Sequence, residues 1–155
     1  MIRITQGNLL EADVEVLVNA VNCVGIMGKG LALQFKKKFP NNFKIYEIAC
    51  KAKQVQPGKV LVIPEYKMIN PRYIINFPTK RHWRQKSQIK DIESGLQSLI
   101  SEVKELEIKS IAIPALGCGN GGLYWNEVKP LIESAFVGLA DVKVLLFSPL
   151  GINKI

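Results

Sequence analysis

Asn19-Ala-Val-Asn-Cys-Val-Gly-Ile-Met-Gly-Lys-Gly-Leu-Ala-Leu-Gln-Phe-Lys-Lys-Lys-Phe39 is the stretch that decides the fold. Glu15 to Val21 reads as a buried strand, glycines follow at 25, 28 and 30, and Leu31, Phe35 and Phe39 then recur at helical spacing. The order is strand, glycine loop, helix. Such a unit offers an anion the free N–H groups and positive dipole end of a helix N-terminus, with glycines that let a ligand approach the backbone. The plainer reading is a tight strand-to-helix turn with no ligand.

A second loop, Gly117-Cys-Gly-Asn-Gly-Gly122, also follows an apolar run, Ile111 to Leu116, and also precedes a helical pattern. Two such units in one small α/β chain place two anion cradles at the same carboxyl edge of a sheet, where ligands of these folds bind. A diphosphate-containing ligand is the natural occupant, with Gly28, Lys29, Gly30, Gly117, Cys118, Gly119, Asn120, Gly121 and Gly122 around it. Neither loop carries the Gly-Lys-Ser/Thr of a nucleotide-hydrolysing phosphate loop, and neither fits G-x-G-x-x-G with a following acid. NTP hydrolysis and ordinary dinucleotide redox chemistry are disfavoured.

Outward from these loops the chain alternates strands and helices. Ile2 to Gln6, Val16 to Val21, Lys59 to Ile63, Tyr73 to Phe77, Ile111 to Leu116 and Val142 to Phe147 read as strands. Pro40 ends the first helix, and Asn41 or Asn42 is expected to cap a second with Phe43, Ile45, Ile48 and Ala49 on its buried face. Gln56-Pro-Gly58 is a turn. Ser87 is expected to cap a long helix reaching about Leu106, whose Ile89, Ile92, Leu96, Leu99, Val103 and Leu106 form a core stripe. Trp125, Val128, Leu131, Ile132, Phe136 and Leu139 mark the last helix, in which Pro130 is tolerable only near the first turn. This is a three-layer α/β/α domain.

At 155 residues and 48% hydrophobic, the chain suits a single domain with a substantial core. A formal charge of +8 favours polyanions such as nucleic acid, or simply gives a soluble basic surface. Cys23, Cys50 and Cys118 are odd in number and show no metal-binding spacing, which suits reduced thiols in the cytoplasm; Cys118 reads as a small filler, with no base beside it in sequence to make it a nucleophile. Met1 leads directly into a strand, and no apolar run approaches membrane-spanning length. The expected protein is a cytoplasmic monomer without membrane contacts, needing neither metal nor cofactor. Because the chain stops soon after its last strand, it is expected to be the N-terminal part of a longer natural protein.

Between the fourth strand and the long helix lies Phe77-Pro-Thr-Lys-Arg-His-Trp-Arg-Gln-Lys86, which holds the only His and one of the two Trp. Cations interleaved with an aromatic ring suit single-stranded nucleic acid, the cations for phosphates and the ring for a base. Arg81, Trp83 and Arg84 are the candidate DNA contacts. The bland reading is a solvated charged loop. Lys36, Lys37 and Lys38 add to the basic count but point in different directions, so at most one or two can face a ligand.

Gly7-Asn8-Leu9, Val18-Asn-Ala-Val-Asn22, the Met27-to-Pro40 run and Pro114-Ala-Leu-Gly-Cys-Gly119 together resemble the macrodomain family over nearly the whole chain. The likeness is greatest to the subgroup of terminal ADP-ribose glycohydrolases and the antitoxins that remove ADP-ribose from DNA bases. It implies a mixed central sheet, Asn8 and Leu9 at the adenine end of an ADP-ribose site, and Asn19 and Asn22 on the distal ribose hydroxyls. Asn8 departs from the acid common there, yet its amide oxygen can accept from the adenine amino group; alternatively it makes a local turn bond, as Asn19 and Asn22 can cap their loop. Phe147 and Pro149 form the apolar side of an adenine slot, or Phe147 belongs to the core.

The resemblance also makes Lys80, after Asn76-Phe-Pro-Thr79, the candidate catalytic residue. It can act as a nucleophile at the anomeric carbon if its pKa is lowered, or as a cation that polarises the leaving base. His82 can pass a proton to that base or contact phosphate. The second loop has Asn120-Gly-Gly122 where the protein-directed relatives carry an acid, which leans toward the DNA-directed branch. The implied activity is removal of ADP-ribose from modified bases of single-stranded DNA, as antitoxin to a toxin bound through regions outside this chain. The rivals are a hydrolase of ADP-ribosylated protein or of ADP-ribose 1''-phosphate, and a non-catalytic ADP-ribose reader.

Overall fold

The computed structural model describes residues 1–149. Among these, six strands form one sheet in the order β1-β6-β5-β2-β4-β3, with β1 Ile2–Thr5, β2 Val16–Val21, β3 Leu61–Pro64, β4 Tyr73–Pro78, β5 Ser110–Ile113 and β6 Lys143–Phe147. All pairs are parallel except the β3–β4 hairpin, so the sheet is mixed, as the resemblance implied. Helices α1 Gly30–Lys38 and α2 Pro40–Lys51 cover one face, and α3 Ile89–Glu105 and α4 Trp125–Phe136 cover the other.

The strand period of two sorts the core. Val16, Val18, Ile75, Phe77, Ile111 and Ile113 meet Ile92, Leu96, Leu99 and Val103 of α3 and Val128, Ile132 and Phe136 of α4. Leu17, Val21, Ile74 and Ala112 meet Phe35 of α1 and Tyr46, Ala49 and Cys50 of α2. Each fully buried Leu or Ile contributes about 2 kcal/mol through removal of its apolar surface from water. Close packing also explains Gly95 in mid-α3: a Cβ there would lie 2.4 Å from the Phe77 ring.

Several local expectations are corrected. Pro40 starts α2 at its first turn as well as stopping α1, because the missing N–H costs nothing there, and neither Asn41 nor Asn42 caps it. Asn42 is instead fully buried and exchanges two hydrogen bonds with the Asn76 amide of β4, at 3.2 and 2.9 Å. That amide pair rotates α2, so its buried face is Asn42, Tyr46, Ala49 and Cys50, while Ile45 and Ile48 are exposed. Gln88, without a side-chain bond, precedes α3 in place of Ser87. Pro130 stands in the second turn of α4, where it supplies no N–H to the Asn126 carbonyl. The second glycine loop enters a single 3-10 turn, Gly119–Gly121, and α4 begins only at Trp125.

Candidate functional site

β2 and β5 are neighbours whose onward connections diverge: β2 leads through α1, α2 and β3 to β4 on one side, and β5 leads through α4 to β6 on the other. The crevice outside their carboxyl ends is the topological switch point at which such sheets bind ligands. Both glycine loops open onto it. The first is braced by Asn22, whose Oδ1 accepts from the N–H groups of Val24 (3.0 Å) and Ile26 (3.4 Å) and whose Nδ2 donates to the Ile26 carbonyl at 2.8 Å. Beneath it the buried Tyr46 hydroxyl lies 2.8 Å from both the carbonyl and the side-chain oxygen of Asn22. The loop then releases Gly28, Lys29 and Gly30 as an exposed rim, and Gly30, at φ +60°, opens α1 with empty space where a side chain would stand. The first three N–H groups of α1 have no intrahelical acceptor and face this opening.

The second loop is pressed onto the start of α3. A Cβ at Gly121 would lie 2.5 Å from the Ser87 Oγ, and one at Gly117 would meet Leu123 at 2.7 Å and Ser87 at 3.2 Å. The Ser87 N–H donates to the Gly121 carbonyl at 2.9 Å, while its buried hydroxyl makes no hydrogen bond. Gly119, at φ +69°, is the exposed member with nothing above it. Cys118 is half-buried, and burial pushes its thiol up to about 11, which removes thiolate chemistry at neutral pH.

Lys80 leaves the end of β4 held by the Val21 carbonyl, which accepts from the N–H groups of Thr79 at 2.8 Å and Lys80 at 3.4 Å. Its Nζ donates to the Trp83 carbonyl at 3.4 Å. Burial, and then the charge of Lys29, hold its pKa below the ordinary lysine value. Trp83 stacks on His82 with ring centroids 5.5 Å apart and carries the Arg84 guanidinium 4.6 Å from its centroid. The His82 Nδ1 accepts from the Arg84 N–H at 3.1 Å, which places the ring proton of the neutral form on Nε2.

These pieces enclose a cleft of about 590 Å³. Of the residues singled out in the sequence, it gathers Asn22, Gly28, Lys29, Gly30, Lys80, Trp83, Gly117, Cys118, Asn120 and Gly121. Asn19 is fully buried below it, with its amide on the Met27 sulfur at 3.7 Å. Asn8 accepts from the Leu10 N–H at 3.1 Å and borders, with the half-buried Phe147, a separate hollow beside β1 and β6. Leu9 is core, and Pro149 lies half-buried beyond β6. His82, Arg81, Arg84, Gly119 and Gly122 stand outside the lining. Arg81 makes a two-pronged contact with the buried Asp91 of α3, both distances 3.2 Å. Lys38 is spent on the Leu10 carbonyl at 3.0 Å, and Lys36 lies 4.5 Å from the Phe43 ring centroid.

Sequence reading missed Thr79, Ile26, Ala32, Pro114 and Ala115 in the lining, and the contacts of Tyr46 on Asn22, Ser87 on Gly121 and Asp91 on Arg81. Small and apolar residues carry no chemical signal, and Tyr46 and Asp91 sit in ordinary helical patterns. Among the described residues, no group of His, Cys, Asp and Glu side chains could hold a metal ion, and no helix is long and apolar enough to cross a membrane.

The sequence profile of the Macro domain matches residues 18–132. The chain belongs to the Macro domain family. This macrodomain is 52% identical, over 96% of its length, to a DNA ADP-ribosyl glycohydrolase of Thermus aquaticus, of which it covers 41%. It superposes on the solved macrodomain of Mycobacterium tuberculosis DarG with a TM-score of 0.95 at 50% identity, covering 97% of this chain and 99% of that one. It also matches Thermosipho africanus DarTG, solved in complex with ADP-ribose, with a TM-score of 0.90 at 37% identity, covering 97% of this chain and 42% of that one. In sequence, a DNA ADP-ribosyl transferase–DNA ADP-ribosyl glycohydrolase fusion protein of Thermosipho africanus is 35% identical over 95% of this chain and 42% of its own length. The chain thus spans about two-fifths of the length of these two curated relatives.

Proposed function

We propose that this macrodomain removes ADP-ribose from modified bases of single-stranded DNA in the cytoplasm and, as a monomer, counteracts a DNA ADP-ribosyltransferase. The single observation that carries this reading is Lys80, an amine with lowered pKa lining the switch-point cleft beside Lys29, in a chain half identical to a DNA ADP-ribosyl glycohydrolase. The fusion of transferase and glycohydrolase in one relative supports the pairing with a toxin.

In this reading the diphosphate sits at the N-terminus of α1 with Gly28, Lys29 and Gly30, and the second loop contributes Gly119 and Asn120. The distal ribose then presents its anomeric carbon to Lys80. Burial and the Lys29 charge raise the share of the neutral amine above that of an ordinary lysine, and that form has the lone pair for attack. The amine forms a bond to the anomeric carbon as the bond to the base nitrogen breaks, and the proton shed by the amine goes to that nitrogen. Water then displaces the lysine, leaving a hydroxyl on the ribose and restoring the amine. Trp83, with Arg84 over its ring, offers a face and a charge to the DNA strand at the cleft rim.

Single-turnover assay of an ADP-ribosylated single-stranded oligonucleotide tests this reading. Lys80→Ala is expected to lose about a hundredfold or more in rate, the scale of one essential catalytic group, while keeping its affinity for free ADP-ribose. A wild-type rate in Lys80→Ala removes the lysine from catalysis; inertness of the wild-type protein toward modified DNA, with turnover of a modified acidic protein, shifts the substrate class.

A further inference from the structure

Lys80 and Arg81 are consecutive but point to opposite sides. Lys80 lines the cleft with Lys29 and Trp83, whereas Arg81 faces a second cavity of about 470 Å³ lined also by Cys23, Cys50, Lys53 and Gln56. The chain from 79 to 87 is therefore a strap lying between two openings. Its ends are tied by backbone alone, at Val21 and at Gly121. Within it, the Lys80 amine bonds the Trp83 carbonyl, the Gln85 N–H bonds the His82 carbonyl, and the Arg84 N–H bonds the His82 ring. Among the described residues, the one side-chain hydrogen-bonded link from residues 80–87 to the rest of the fold is Arg81 on Asp91.

Asp91 suits that duty. It is 5% exposed, stands in the first turn of α3 where the helix dipole favours a carboxylate, and accepts Arg81 on both oxygens in the planar geometry that a lysine cannot reproduce. An arginine so engaged is a poor reader of DNA phosphate, because a phosphate would have to displace a buried carboxylate. We infer that Asp91 is a positioning residue for the glycohydrolase reaction: through Arg81 it fixes the strap and thereby aims Lys80 into the cleft. This rests on the reading of Lys80 given above and concerns its aim, whatever base is removed.

The test uses the full chain and the same modified oligonucleotide, with calorimetry of free ADP-ribose and of unmodified oligonucleotide. Asp91→Asn and Arg81→Ala are each expected to lower kcat about tenfold or more, the scale of a misplaced reacting group, with both affinities within about twofold at a temperature where each variant is folded; Arg81→Ala also lowers Tm, because it leaves the buried Asp91 carboxylate unpaired. Arg81→Lys should recover part of the rate, and the double variant should lose no more than either single one, because both act through one contact. An undiminished kcat in Arg81→Ala, additive losses in the double variant, or weakened oligonucleotide binding with kcat retained each overturn the inference, the last by making Arg81 a phosphate contact. If Asp91→Asn does not fold, Arg81→Ala, altering the half-exposed partner, decides alone. Lys80→Ala runs beside them. A wild-type rate there sinks the reading of Lys80 and this inference with it, whereas an inactive Lys80→Ala next to fully active Arg81 and Asp91 variants sinks only the inference.

Discussion

The two glycine loops look alike in sequence and differ in what their glycines do. In the first, Gly28 and Gly30 are exposed, and the loop is held from below by Asn22 and Tyr46, so that α1 begins at an open rim. In the second, Gly117 and Gly121 are buried against Ser87 and Leu123, and only Gly119 combines a positive φ with free space above it. The first loop leaves its rim open, and the second mainly keeps room for its own neighbours. A glycine cluster therefore signals close approach without saying whether a ligand or the protein does the approaching.

Gly119→Val tests the exception and is expected to have the largest effect, a loss of ADP-ribose affinity beyond about tenfold with the fold kept, since a branched side chain at φ +69° is strained and blocks backbone approach. Calorimetry showing unchanged affinity in a folded variant would assign the whole second loop to packing. Gly121→Ala tests the rule: a Cβ 2.5 Å from the Ser87 Oγ should cost about 2 kcal/mol of stability in denaturant unfolding. Adding Ser87→Ala removes that oxygen and should restore part of the loss; no recovery would show that Ser87 is not the obstacle.

Under the first loop, Tyr46→Phe removes the hydroxyl that meets both oxygens of Asn22 and should cost about 1 kcal/mol of stability, together with a modest loss of ADP-ribose affinity. If stability falls with no change in affinity, bracing of the loop is irrelevant to binding. The smallest effect is electrostatic. Lys29 is the second cause, after burial, that lowers the Lys80 pKa, so Lys29→Gln lets that pKa rise and should move the ascending limb of the rate–pH profile to higher pH. A limb that stays in place or moves to lower pH would show that the Lys29 charge does not set the protonation of Lys80.

The sequence by itself determined the layer order and most of the core. The apolar run of Val16 to Val21, which suits a strand covered on both faces, and the three-to-four spacing of Ile92, Leu96, Leu99 and Val103 are local patterns with a single buried solution. It also placed both glycine loops at one sheet edge and pointed to Lys80, through a run of residues close to those of known macrodomains. Tertiary structure alone decided the rest, because it depends on partners distant in the chain. Asn42 meets Asn76 across 34 residues and so fixes the rotation of α2. Arg81, indistinguishable in sequence from its basic neighbours, is claimed by Asp91 because the strap turns it away from the cleft. Gly121 is tight because Ser87 lies beneath it, and Gly117 because Leu123, Ser87 and Ile92 close on it; no local pattern records which buried atom a loop will meet.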